Sequence, residues 1–347
     1  MAESNHSSKC ATTGGIKAVL LHLGFNMWCD YLPEDMDNSL LATGSTGKGA
    51  PDTVLRNKEE LWRRAIDRMV EKSLNMLVID LGEGMFFPSH PELAIKGTWS
   101  PDKMRAEIER LKRLGIEAIP KLNFSTTHNG WLKHYRRMVS TKEYYRVCED
   151  VIHDTVQIFG TPRFLHIGYD EETATHQMGS GYNRFICVRN RELWQHDFLH
   201  IVHAVESNGV RAWAWSDYGW DHEDFYEWCP KSVLMSNWYY DESHGGFELA
   251  QNETSDHKRL KGFYDLEKAG FEQVPCGTNW VGWARRKENV GADDVIGSLV
   301  KVCRRDLKPE SLKGFMMAPW ASCDTEEHLT FINRGIDLFA DALCQAD

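Results

Sequence analysis

Short apolar runs and longer amphipathic stretches take turns along this chain. The first apolar run spans residues 16–23 and reads as a strand. A polar stretch rich in Gly, Asp and Pro follows, residues 24–57, long enough to suggest a functional loop such as a lid. Residues 58–72 then place Leu61, Ala65, Ile66, Met69 and Val70 at helical spacing on one face. Residues 75–81 predict a second strand, closed by Gly82-Glu83-Gly84. Ser100-Pro101-Asp102 predicts a helix start, and Gly115 its stop. A third strand is expected at 116–123 and a helix at 142–159, ended by Gly160. The fourth strand is Phe164-Leu-His-Ile-Gly-Tyr-Asp-Glu171, and it finishes in two adjacent carboxylates. A helix at 185–207 ends at Asn208-Gly209. Further strands are expected at 210–216, 232–238, 273–280 and 313–320, with helices at 256–269, 293–305 and 325–342.

Strict alternation of strand and helix predicts parallel strands joined by crossover helices. Eight such units in 347 residues predict a (β/α)8 TIM barrel. An open doubly wound sheet is the alternative, but no strand is followed by its Gly-x-Gly-x-x-Gly turn. The reading is a single domain, 16–347, behind a polar segment, 1–15. Barrels of this kind build their sites at the C-terminal strand ends. The unusual residues fall there: His22, Asp80, Asn123, Asp170 with Glu171, Asp217, Trp238, Asn279 with Trp280, and Trp320.

Composition narrows the chemistry. Hydrophobic residues make up 42% and charged residues 26%, as in ordinary soluble domains. A net charge of −11 argues against nucleic acid, which recruits basic patches. No apolar run reaches the length of a membrane span. The nine cysteines show no Cys-x-x-Cys spacing and read as reduced thiols, favouring the cytoplasm. The N-terminus shows no apolar signal segment, although an export signal already removed would leave the same appearance. The 13 tryptophans gather late in the chain, and a mouth lined with them suits the flat apolar faces of sugar rings.

Asp170 and Glu171 have two readings. With Glu172 they could favour the dipole of a following helix, yet the next residues are slow to become helical. As a catalytic pair, mutual repulsion raises one pKa, which a general acid needs. Glu171 is then the candidate acid and Asp170 the ionised partner. Adjacent residues do not fit a retaining pair drawn from two strands about 5 Å apart. They suit a scheme in which the substrate's own 2-acetamido oxygen attacks.

His166-Ile-Gly-Tyr-Asp170-Glu171 resembles the His-x-Gly-Gly-Asp-Glu signature of family 20 glycoside hydrolases, the β-N-acetylhexosaminidases. Pro120-Lys-Leu-Asn-Phe-Ser-Thr-Thr-His128 resembles that family's Pro-Glu-Ile-Asp-x-Pro-Gly-His block, with His128 matching its histidine. Trp215-Ser-Asp217, Asn237-Trp238 and Ala318-Pro-Trp320 sit where the family has tryptophan-bearing strand ends. The resemblance implies a retaining exo-β-N-acetylhexosaminidase, with Glu171 as general acid and base and Asp170 orienting the acetamido group. It implies a glycan substrate and no cofactor. Departures are plain: no first-strand arginine near His22 to Trp28, Asn123 for the strand-three aspartate, Tyr169 for the second glycine, and no Tyr-Leu-Asp after strand seven. This is the pattern of a divergent relative.

His128 and His166 are read as partners of the acids or of a sugar hydroxyl, against the plainer reading of satisfied core histidines. Trp238, Trp280 and Trp320 are expected to wall a sugar pocket, with Asp80, Asp217 and Asn279 contacting substrate. His22, Asp80, His128, His166 and Asp170 at one mouth raise a metal site as a further alternative. No His-x-His or His-Glu-x-x-His spacing supports it, so the expectation is no metal. Two rivals stay open: a glycosidase for sugars lacking the acetamido group, using Asp80, Glu83 or Asp217 as a separate carboxylate, and a barrel that binds carbohydrate without turnover. A homodimer is compatible with the sequence.

Overall fold

Period-two alternation sorts the side chains of each strand into two cores. In a computed structural model that describes residues 15–30, 51–179, 186–240, 255–279 and 292–345, one set of side chains fills a barrel interior. It includes Ala18, Leu20, Val78, Ile119, Trp213 and Met316. The other set, including Val19, Leu21, Leu77, Ile79 and Leu165, faces outward against helix residues such as Ile66, Met69 and Leu111.

The strands are β1 (Ile16–His22), β2 (Met76–Asp80), β3 (Glu117–Lys121), β4 (Phe164–His166), β5 (Arg211–Trp215), β6 (Leu234–Ser236), β7 (Cys276–Gly277) and β8 (Gly314–Met317). All pairings are parallel, in the order β6-β5-β4-β3-β2-β1-β8-β7. Two isolated parallel bridges, Met235 to Gln273 and Trp238 to Cys276, join the free edges of β6 and β7 and close the ring. The expected (β/α)8 TIM barrel is the observed fold.

Helices pack outside: α1 (Glu59–Glu71), α2 (Pro101–Arg113), α3 (Lys142–Phe159), α4 (Ala174–Gly179), α5 (Arg191–Ser207), α6 (Phe225–Trp228), α7 (Ser255–Lys268), α8 (Ala292–Asp306) and α9 (Glu326–Gln345). Local chemistry sets their ends. The Ser100 hydroxyl accepts from the Lys103 N–H at 3.2 Å to cap α2. Gly160 closes α3 with φ of 72°.

Every expected strand is shorter in the structure, and three elements show the cause. Strand seven, read as 273–280, keeps only Cys276–Gly277 in its ladder, because Pro275 has no N–H to give to β8. Strand four ends at His166 because the backbone turns left-handed two residues later. The helix expected from residue 185 begins at Arg191, where the Asn190 side chain caps it by accepting from the Leu193 N–H at 2.9 Å. Most of the expected lid, residues 31–50, lies outside the described residues, as does Trp280. Among the described residues no helix is long and apolar enough to cross a membrane.

Candidate active site

The acids stand on a backbone that cannot continue as a strand. Gly168, Tyr169 and Glu171 have φ of 74°, 70° and 56°, all in the left-handed region. Gly168 is required twice over, since a Cβ there would lie 2.0 Å from the Asn123 Oδ1. Tyr169 tolerates the strained conformation while its ring packs edge-on against Trp194 and Phe198 of α5. The resulting turn carries Asp170 and Glu171 to the C-terminal mouth of the barrel.

The loop after β3 straps that turn in place. Ser125 and Thr127 donate their hydroxyls to the carbonyls of Asp170 and Glu171. Thr126 gives its N–H and hydroxyl to Glu172, at 2.9 and 2.7 Å. Arg189 binds Glu172 at 2.6 Å and Asp197 at 2.7 Å, all three being buried. Glu172 is thus a structural anchor and not a third acid.

His128 lies between the two candidate acids. Its Nδ1 is 3.2 Å from Asp170 Oδ2 and its Nε2 is 3.3 Å from Glu171 Oε2. Burial alone would push this imidazole down, but the charge of Asp170 and its contact outweigh it, and His128 rises to about 10. At neutral pH an imidazolium therefore bridges the pair. Burial pushes the Asp170 carboxyl up, but the His128 charge, Lys121 and the Asn123 amide, which donates to Oδ1 at 2.9 Å, hold it well below the usual range. Glu171 differs in access: 32% of its side chain is open to solvent against 11% for Asp170. One carboxylate is a fixed anion and the other is presented outward.

Asp217 completes the group from the end of β5. It accepts the Glu171 N–H at 2.8 Å and the Trp238 indole N–H at 3.3 Å. Burial, and then the charge of Asp170, push it up to about 8. So Asp217 is protonated at neutral pH and holds the backbone of the acid.

His128, Asp170, Glu171, Asp217 and Trp238 are therefore brought together. Trp320 joins the mouth beside His22, Trp28 and Trp215, at ring distances of 5.7, 6.5 and 6.2 Å. Asp80 and His166 are fully buried one layer lower, Asp80 on the Lys121 ammonium and His166 between Trp213 and Trp215. Asn279 turns outward, and its amide donates to the Phe331 carbonyl of α9 at 2.8 Å. Glu83, a candidate separate carboxylate, accepts the N–H groups of Phe25 at 2.7 Å and Asn26 at 3.1 Å. Among the described residues no group of three or more His, Cys, Asp or Glu is placed to hold a metal ion. Asn123, expected at this rim from its strand-end position, holds Asp170, whereas Lys121, Ser125, Thr126 and Thr127 were missed, although all lie in the block that ends at His128.

Two outcomes follow from this geometry. Gly168→Ala should lower unfolding free energy by about 2–4 kcal/mol, measured by urea denaturation. Asp217 has a raised folded pKa, so its contribution to stability is complete below its ordinary 3.8 and is lost as pH rises through about 8. The stability of wild type relative to Asp217→Asn should accordingly fall across that window, and a flat difference would show that Asp217 is ionised throughout.

No model of a known protein family matches the sequence, and neither does any curated protein. Solved structures do match. The family 20 exo-β-N-acetylglucosaminidase of Vibrio harveyi is 12% identical with a TM-score of 0.58, the match covering 94% of this chain and 54% of that one. The β-N-acetylhexosaminidase of Bacteroides fragilis is 12% identical with a TM-score of 0.59, covering 94% and 65%. A catalytic module of the pneumococcal exo-β-D-N-acetylglucosaminidase is 15% identical with a TM-score of 0.60, covering 94% and 83%. The chain thus spans between about half and two thirds of the first two proteins. By its backbone, the chain resembles the family 20 glycoside hydrolases and shares their fold, as a divergent example of it.

Proposed function

We propose that the protein is a glycoside hydrolase that removes a β-linked N-acetylhexosamine from the non-reducing end of a glycan, with retention. The observation that carries this is the pairing of a buried, ionised Asp170 with a solvent-reaching Glu171 on opposite nitrogens of one imidazolium. In this reading Glu171 gives its proton to the leaving oxygen as the glycosidic bond breaks. The substrate's acetamido oxygen forms the new bond to the anomeric carbon. Asp170 accepts the acetamido N–H and offsets the positive charge that develops on the ring so formed. Glu171, now a carboxylate, takes a proton from the water that opens the ring. No metal or organic cofactor has a part in these steps.

The separate-carboxylate scheme is less well supplied. Asp80 is held by Lys121, Glu83 by two backbone amides, and Asp217 by the Glu171 N–H and Trp238. The tryptophans around the mouth suit a sugar face. The names of the structurally similar proteins point the same way.

Nitrophenyl β-N-acetylglucosaminide and β-N-acetylgalactosaminide should be cleaved, and Glu171→Gln should slow cleavage about 10²–10⁴-fold. A thiazoline mimic of the cyclised intermediate should inhibit strongly. Cleavage of sugars lacking the acetamido group, with no thiazoline inhibition, would favour the separate-carboxylate reading. Sugar binding with no turnover, unchanged in Glu171→Gln, would favour a non-catalytic barrel.

A further inference from the structure

One layer beneath the acids, the barrel interior carries charge where such interiors usually hold branched apolar side chains. His22, Asp80, Lys121 and His166 are partners in strand register across β1 to β4. Each lies two residues after an interior apolar residue, namely Leu20, Val78, Ile119 and Phe164, so all four point inward. Lys121 is 0% exposed and Asp80 1%. The ammonium donates to Asp80 Oδ2, and His22 Nδ1 lies 3.5 Å from the same oxygen.

A buried ion pair is poor value for stability. Well-packed apolar residues of similar size usually do as well or better. The pair's position suggests another use. Asn123 follows Lys121 by two residues, just past the end of β3, and its amide donates to Asp170 Oδ1 at 2.9 Å. Lys121 is in register with His166 on β4, four residues before Asp170, and its charge is among those that hold the Asp170 carboxyl down, after that of His128.

We propose that Lys121, anchored by Asp80, is a positioning residue whose ammonium keeps Asp170 an anion beneath the charge that develops on the substrate. This rests on the roles assigned above to Asp170 and Glu171. Lys121 acts through Asp170 and touches no substrate. Asp170 is also faced by His128 from the loop after β3, Glu171 beside it, His166 from β4, Asp80 from β2, Asp217 beyond β5 and Tyr240 beyond β6. Of these, only His128 adds a second cation.

The test follows the Asp170 carboxyl by carbon-13 NMR, together with the pH profile of kcat/KM. It compares wild type with Lys121→Met and with the Asp80→Asn, Lys121→Met double variant. In Lys121→Met the Asp170 midpoint and the acid limb of activity should both move up by about one unit or more, and in the double variant, which also loses the Asp80 charge, in the same direction by less, with KM changed less than about threefold. The double variant leaves no lone buried charge, so it carries the test where Lys121→Met does not fold. An Asp170 midpoint unmoved in either variant overturns the proposal, as does activity lost equally at every pH. Absence of any wild-type turnover would sink the hydrolase reading instead, and the NMR midpoint would still decide the role of Lys121.

Discussion

Two neighbouring carboxylates at the mouth of an apolar barrel repel each other and lose solvation, so something must hold them together. His128 does this. Its ring reaches one acid with each nitrogen, and the anion it faces most closely keeps it protonated. The cation and the anion sustain one another: the Asp170 charge is the largest influence that opposes burial at the imidazole, and the imidazolium is the largest that opposes it at Asp170, with Lys121 and the Asn123 amide adding to it. The charge pattern of the mouth, from Lys121 below to Glu171 above, is organised about that mutual dependence.

Geometry serves the same end. The left-handed backbone at Tyr169 and Glu171 would be a weak point if it were free. It is fixed by three consecutive hydroxyl residues from the neighbouring loop and by the buried Arg189 linking Glu172 to Asp197. Strain is therefore stored where side chains must be aimed and is balanced by hydrogen bonds a few ångströms away. The loop after β3 supplies both the cation and the straps, so the acids and their support behave as one unit.

The barrel was legible because its pattern is long and repetitive: the strand and helix periods alternate clearly, and each strand's inward set reads directly from Ile16, Ala18, Leu20 and their equivalents. The acids were legible because two carboxylates ending an apolar strand are expensive. What stayed hidden depends on distance. Arg189 is 17 residues from Glu172, and nothing local says that they meet. Lys121 reads as an ordinary strand-end lysine until Asp80 is seen in register beside it. Strand boundaries failed where backbone chemistry overrode side-chain pattern, at Pro275 and at Gly168. Asn279 looked like a pocket residue from its place at a strand end, yet the glycine at 335 in α9 opens room for it outside the barrel.

The ring is not equally firm all the way round. β1 pairs with β2 over five residues in continuous register, whereas β6 and β7 meet through isolated bridges and a few hydrogen bonds, from Val274 to Met235 at 2.8 Å and from Cys276 to Asn237 at 2.9 Å. That junction lies across the barrel from the β1–β4 arc that carries the polar layer and most of the charged groups. A circularly permuted chain with its new ends between these two strands would sever the least cooperative contact and leave the acid-bearing half of the molecule intact.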